Sequence, residues 1–158
     1  MIGDEKFLHF VKTQLAQYNI DSKKICFEIT ETSAISNLAK ETEFITELKA
    51  MGCFFALDDF GSGLSSFAYL KNLHIDYIKI DGMFVRDIAN DPIDQEMVRS
   101  ITSIAKVMGK KTIAEFVEND EIKVILEDIG VDYVQGYGIA KPQALKTLTT
   151  DKLNWKKT

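Results

Sequence analysis

Apolar and polar positions follow two alternating periods along the chain, which predicts helices and strands in turn. Apolar residues at helical spacing predict helices over residues 4–18, 42–52, 66–73, 91–109 and 119–130. Largely apolar runs predict strands over residues 24–30, 53–60, 76–81, 111–117 and 131–139. This alternation indicates an α/β fold with parallel strands joined by right-handed crossovers. An open doubly wound sheet and a closed barrel both fit the pattern.

Each predicted strand carries one strongly polar residue towards its C-terminal end, amid apolar neighbours. These residues are Glu28, Asp58, Lys79, Glu115 and Gln135. In a parallel β/α barrel the carboxyl ends of the strands meet where active sites lie. Three carboxylates meeting there without a partner would be costly to bury. Oxygen ligands of this kind suit hard divalent cations such as Mg²⁺ or Mn²⁺.

Composition and charge exclude several classes of protein. The net charge of −5 gives no general affinity for DNA or for anionic membranes. No apolar run is long enough for a membrane span, and no signal peptide opens the chain, so we expect a cytoplasmic protein. Cys26 and Cys53 lie in apolar runs and are expected to be buried and reduced. His9 and His74 lie outside the strand ends, which argues against zinc and against a Ser/His/Asp triad.

Each candidate also has a purely structural interpretation. A single acidic residue at a strand end is often a helix cap or a loop anchor, and Lys79 alone could be half of a structural salt bridge. Asp59-Phe60-Gly61 matches the metal-binding triplet of kinases, but the other kinase motifs are missing. Glu31 is alone on its face and could simply brace a loop. The five polar strand ends carry weight only as a group.

Five motifs in order, FEITET, LDDFGSGLSS, IKID, IAEFVEN and YVQGYGI, resemble the EAL family of cyclic di-GMP phosphodiesterases. The resemblance runs from Ile25 to Pro142. It implies a parallel β/α (TIM-type) barrel whose substrate is cyclic di-GMP. The implied reaction is hydrolysis to the linear dinucleotide with two Mg²⁺ or Mn²⁺ ions. One departure is Phe116, which stands where the family commonly has glycine.

The resemblance also implies roles for individual residues. The implied metal ligands are Glu28, Asp58, Asp59 and Glu115. The implied catalytic residues are Lys79, Glu115 and Asp58. Glu31 is implied to hold the loop that contains Gly61 and Gly63, while Glu118 and Gln135 line the site.

A larger departure concerns the early part of the family's domain. The Glu-Ala-Leu motif and a ligand asparagine on the following strand have no counterpart here. About five of the eight strands of a complete barrel are expected, with residues 1–142 as a partial EAL domain and residues 143–158 as a polar tail or helix. We therefore expect impaired turnover, and either self-association or a complementing N-terminal segment, because open sheet edges and exposed apolar surface favour association.

Two functions from different classes stay open. The first is a phosphodiesterase domain, which an upstream GGDEF or sensory domain could accompany. The second is a regulatory module that binds cyclic di-GMP or a protein partner without hydrolysis. A fragment with no activity of its own is a third, simpler interpretation.

Overall fold

The structure is a computed structural model that describes residues 5–61 and 67–144. Its elements alternate as the hydrophobic pattern predicts. The helices are α1 (Glu5–Gln17), α2 (Glu31–Ser36), α3 (Leu38–Ala50), α4 (Pro92–Val107) and α5 (Asp120–Ile129). The strands are β1 (Cys26–Thr30), β2 (Phe54–Phe60), β3 (Tyr77–Ile80), β4 (Lys111–Ala114) and β5 (Tyr133–Val134). Short 3₁₀ turns occur at Ser22–Lys24, Phe67–Lys71 and Gly82–Phe84.

The strands form one parallel sheet of five in the order β1-β2-β3-β4-β5. This sequential order is that of a β/α barrel, because a doubly wound sheet reverses its strand order at a switch point. Within the described residues β1 pairs with β2 alone and β5 with β4 alone, so the sheet is not closed. The prediction of five strands of an incomplete barrel is confirmed.

Helices cover one face of the sheet and enclose the core. Phe44 of α3 lies 6.1 Å from Phe55 of β2, ring centroid to ring centroid, and Phe27 of β1 lies 5.5 Å from Phe55. The opposite face is less covered: Phe54 is 36% exposed and Tyr133 is 45% exposed. The sheet therefore has a packed outer face and an accessible inner face.

The ends of the long helices are where the sequence signals predict them. Asp91 and Asn119 accept hydrogen bonds from the first turns of α4 and α5, and Gly130 ends α5 with φ +91°. The helix predicted to begin at residue 42 instead begins at Leu38, after the additional helix α2. The Thr30 hydroxyl caps α2 by accepting from the Ser33 amide, a signal that the sequence analysis missed.

The last predicted strand is much shorter than residues 131–139. Only Tyr133–Val134 is strand, because the chain beyond it packs closely against the backbone at Val117. A Cβ on Gly136 would lie 2.3 Å from the Val117 amide nitrogen, so this approach requires glycine. Val117 N–H donates to the Gln135 carbonyl at 3.1 Å, and Gly138 N–H donates to the Val117 carbonyl at 2.8 Å. Gln135 thus follows its strand, as Glu115 follows Ala114 at the end of β4.

Glu41 offers a test of buried charge in the helical layer. Its side chain is 2% exposed, and Oε2 makes no hydrogen bond to the described residues. Burial raises the pKa of Glu41, although the Ser33 hydroxyl, which donates to Oε1 at 3.4 Å, opposes this. The ionised form is thus disfavoured in the folded chain. That penalty exists above the folded pKa and disappears as the pH falls towards the unfolded pKa.

We predict that Glu41→Gln gains stability relative to the wild type as the pH rises from 4 to 7. Between these pH values, the unfolding free energy of the variant minus that of the wild type should rise by about 1 kcal/mol. This is the lower end of the cost of an unsatisfied buried polar group. Urea denaturation at both pH values measures it. Glu43→Gln, on an exposed position of the same helix, is the control. An equal difference at both pH values would contradict the prediction.

Self-association stays a prediction, and the inner face indicates how to test it. Phe54 and Tyr77 lie 6.2 Å apart, Tyr77 and Tyr133 6.1 Å apart, in one aromatic row. We expect sedimentation velocity to show a mass above that of one chain, rising with concentration, because an apolar patch of this kind favours association. Phe54→Lys should reduce association, whereas Phe10→Lys, on exposed α1 surface, should not. A monodisperse monomer across the concentration range would contradict it.

Candidate active site

The Lys79 ammonium lies at the centre of the candidate site. Lys79 is on β3 and only 4% exposed. Its Nζ lies 2.7 Å from Asp58 Oδ1, 3.0 Å from Glu28 Oε2 and 3.0 Å from Glu115 Oε1. Burial alone would lower the pKa of Lys79, but the close ion pairs with the three carboxylates outweigh it and raise the pKa well above its usual value. The lysine therefore stays charged and partly balances the carboxylates.

Strand register brings these side chains together. Glu28 on β1 pairs with Ala56 and Thr30 with Asp58, while Lys79 on β3 pairs with Ile113 on β4. Alternation along each strand directs Glu28, Asp58 and Lys79 to the inner face. Glu115 follows the last residue of β4 and reaches the same cluster. The structure thus joins four of the five polar strand ends directly.

The adjacent aspartates converge through an irregularity in β2. Leu57 pairs with Ile78 and Phe60 with Ile80, so Asp58 and Asp59 together stand opposite Lys79. This is the two-against-one pattern of a β-bulge. Asp59 has φ +55°, a left-handed conformation that aspartate tolerates better than most residues. Strand alternation would separate the two carboxylates, and the bulge removes that alternation.

Asp58, Asp59 and Glu115 form a group that suits a divalent cation. Each offers a carboxylate oxygen, and the three oxygens lie within 4.8 Å of one another. Burial, followed by the neighbouring charge of Asp58, raises the pKa of Asp59, and burial raises that of Glu115. Desolvation is the largest cause of both shifts, and the neighbouring charge of Asp58 adds to each. The donor set therefore fits a hard cation that prefers oxygen ligands.

Glu28 stands apart from this trio. Its side chain is 52% exposed and pairs with Lys79, and it does not belong to the group of three oxygens. Its assignment as a metal ligand stays a prediction.

Glu31 holds the chain that follows the aspartates. It is 3% exposed; Oε2 accepts from the Gly61 amide at 3.1 Å, and Oε1 accepts from the Tyr69 hydroxyl at 2.7 Å. Burial, together with the hydrogen bond to Glu31, raises the pKa of Tyr69. Gly61 has φ +97°, and a Cβ there would lie 2.6 Å from the Phe84 ring. Sequence reasoning missed Tyr69, and Gly63 lies outside the described residues.

Glu118 and Gln135 line a cavity of about 480 Å³ beside the cluster. Glu115 belongs to the same wall, which joins the cavity to the carboxylate trio. The remaining lining residues are Arg86, Phe116, Gly136 and Tyr137. Sequence reasoning singled out neither Arg86 nor Tyr137. Phe116 had one signal, its departure from the glycine that the resemblance to the EAL family implies at its position.

Comparison with known proteins agrees with this architecture. The EAL domain family matches residues 1–142. This chain belongs to the EAL domain family. The division into a domain of residues 1–142 and a tail stays a prediction, and residues 145–158 of that tail lie outside the described residues.

A curated relative and two solved structures show how much of an EAL protein this domain covers. The cyclic di-GMP phosphodiesterase PdeB of Shewanella oneidensis is 46% identical over 144 residues, 91% of this chain and 17% of PdeB. The PaMucR phosphodiesterase in complex with c-di-GMP superposes with a TM-score of 0.87 at 28% identity, covering 92% of this chain and 59% of that one. The manganese and c-di-GMP complex of Klebsiella pneumoniae BlrP1 gives 0.78 at 28% identity, with 85% and 34% covered. The EAL domain described here thus spans less than a fifth of PdeB.

Among the described residues, no helix has both the length and the apolar character that crossing a bilayer demands.

We predict that Lys79→Met destabilises this EAL domain by about 2–4 kcal/mol. Removing the ammonium leaves carboxylates uncompensated, and the half-exposed Glu28 keeps the loss below that of a fully buried ion pair. Added Mg²⁺ or Mn²⁺ should restore more stability to the variant than to the wild type, because the cation replaces the missing positive charge. Thermal unfolding with and without the cation measures both effects. Lys71→Met, at an exposed position, is the control, and equal cation effects in the two proteins would contradict the prediction.

Proposed function

We propose that this EAL domain acts on cyclic di-GMP as part of a metal-dependent phosphodiesterase that releases the linear dinucleotide. The observation that carries the proposal is the carboxylate trio of Asp58, Asp59 and Glu115 beside the Lys79 ammonium. Both lie at the carboxyl ends of parallel strands, where β/α barrels place their chemistry. The likeness to PdeB and to the c-di-GMP complexes supports the choice of substrate.

The chain's own residues provide distinct functions in this proposal. Asp58, Asp59 and Glu115 hold Mg²⁺ or Mn²⁺, with Glu28 as a further ligand. Lys79 orients the scissile phosphate, because its charge is fixed by its carboxylate partners and lies within the cluster. Glu31 keeps the turn at Gly61 in place behind the aspartates. The bound cations would activate the attacking water and offset charge on the leaving oxygen.

One observation favours the second candidate function, binding without hydrolysis. Three described carboxylates converge on a single point, whereas Glu28 is held at Lys79 and half exposed. A two-cation mechanism needs ligands on both sides of the attacked phosphate. The described residues supply one side more fully than the other. We therefore propose that turnover by this chain is weak.

The remaining partners are part of the same proposal. Cyclic di-GMP is the ligand, and self-association or a complementing N-terminal segment would cover the inner face of the sheet. An upstream GGDEF or sensory domain and a cytoplasmic location stay predictions.

We predict slow release of linear dinucleotide when the chain is incubated with cyclic di-GMP and Mg²⁺ or Mn²⁺. Glu115→Gln should lower the rate at least about a hundredfold, since it removes a charged ligand from the trio. Chromatography of the products measures turnover, and calorimetry measures binding. Glu121→Gln, on the exposed surface of α5, is the control.

The outcomes separate the two functions. Turnover that disappears in Glu115→Gln supports the enzyme. Saturable binding without product supports the binding module. Neither binding nor product would contradict both.

A further inference from the structure

The sheet contains one arrangement of residues twice, at the start of β3 and at the start of β5. In each case an aspartate directly before the strand accepts a hydrogen bond from a backbone amide of the preceding strand. Phe55 N–H on β2 donates to Asp76 Oδ2 at 2.9 Å, and Thr112 N–H on β4 donates to Asp132 Oδ2 at 2.9 Å. Each aspartate is named a clip below, because its side chain joins the beginnings of two neighbouring strands.

The repetition includes the polar residues at the other end of the clipped strands. Residues 75–79 read IDYIK, and residues 131–135 read VDYVQ. Lys79 and Gln135 therefore each lie three residues after a clip. The alternation of side chains directs both residues away from the face that the intervening isoleucine or valine occupies.

The strands that precede the clips correspond as well. A Met-Gly pair follows the helix before each of them, at residues 51–52 and 108–109. Asp58 and Glu115 each lie six residues after that glycine. The two carboxylates that contact Lys79 from β2 and from the end of β4 thus occupy equivalent positions in two copies of one strand pair.

Asp76 is held from several directions. Its N–H donates to the Phe55 carbonyl at 2.9 Å, and its carbonyl accepts from the Lys111 N–H at 3.0 Å, so its backbone lies between β2 and β4. Its Oδ1 pairs with Lys49 Nζ of α3 at 2.5 Å, which fixes the direction of the carboxylate. Phe55 is fully buried, so water cannot replace the carboxylate at its amide. Asp76 therefore sets the register of β3 at the amino-terminal end of the strands.

This register decides where Lys79 stands, because the pairing of β2 with β3 is interrupted beside it. The pairing shifts between Leu57 and Phe60, at the bulge that contains the two aspartates. Ile78, the neighbour of Lys79, belongs to the hydrophobic core. A slip of β3 by one residue would carry Lys79 to the packed face and an isoleucine to the carboxylates. A clip on the regular side of the bulge opposes that slip.

We propose that Asp76 is a positioning residue for Lys79. Its hydrogen bond to the Phe55 amide keeps the ammonium opposite the bulged aspartates. Asp76 is not among the three carboxylates within 3.0 Å of Lys79 Nζ, so it acts through the strand register. The consequence for hydrolysis rests on the proposed function, in which Lys79 orients the scissile phosphate, whereas the effect on the position of Lys79 does not.

The test measures how well the fold protects Lys79 from a reagent that acylates free amines. The whole chain is treated with sulfosuccinimidyl acetate under native conditions, and mass spectrometry gives the acylation rate of Lys79 relative to the exposed Lys71. Asp76→Leu should raise this relative rate about tenfold, the factor that corresponds to leaving one buried amide unsatisfied. Asp76→Asn, whose side-chain oxygen still accepts from the Phe55 amide, should keep most of the protection.

Asp132→Leu is the matched control, because it removes the same hydrogen bond from the other copy of the strand pair. It should leave the relative rate of Lys79 within about twofold of the wild type, since the two clips share no partner. An equal rise in both leucine variants would indicate general loosening of the sheet and would overturn the positioning role. An unchanged rate in a folded Asp76→Leu variant would overturn it too.

Lys49→Met decides if Asp76→Leu does not fold. This change frees the Asp76 carboxylate and should raise the relative rate of Lys79 about two- to fivefold. An unchanged rate would overturn the positioning role.

Turnover distinguishes this inference from the proposed function. Asp76→Leu should lower kcat for cyclic di-GMP with little change in KM, because it moves Lys79 without contacting the ligand. A lowered kcat together with faster acylation supports both. Faster acylation with an unchanged kcat would contradict the role given to Lys79 in hydrolysis and support the positioning role. In a wild-type chain without turnover the acylation rates alone decide the role of Asp76.

Discussion

The balance of charge around Lys79 is the constraint on which the candidate site depends. One nearly buried ammonium contacts carboxylates from three other parts of the sheet, Glu28, Asp58 and Glu115. Without it those carboxylates would repel one another at the end of the sheet. Yet a single positive charge cannot neutralise them all, and the pKa values of Glu115 and Asp59 are raised, mainly by desolvation and further by the charge of Asp58. Lys79 therefore stabilises the fold while leaving negative charge to attract a cation.

Residues with a strained backbone conformation lie beside the carboxylate cluster. Of the non-glycine residues described with positive φ, Asp59 and Phe116 both adjoin the cluster. The first brings a second aspartate to the inner side of β2, and the second turns an aromatic ring towards the cavity. Such conformations persist where the surroundings hold them, as Glu31 does at Gly61 and as Gly82 and Arg86 do at Phe116.

The two faces of the sheet have different roles. The outer face is covered by helices and forms the hydrophobic core, which holds the strands in position. The inner face carries Glu28, Asp58 and Lys79 at one end of the strands and the row of Phe54, Tyr77 and Tyr133 further back. The predicted association and the proposed ligand binding would thus both use this inner face.

The sequence by itself determined the order of helices and strands, the parallel sheet and the polar residues at the strand ends. It could do so because the spacing of apolar residues and the capping residues at helix ends are local signals, which can be read from short stretches of the chain. The convergence of Asp58 with Asp59, the contact of Tyr69 with Glu31, and the fit of Phe116 between Gly82 and Arg86 were decided only by tertiary structure. A bulge, a buried hydroxyl partner and a space left by glycine depend on distant neighbours, which local periodicity does not encode.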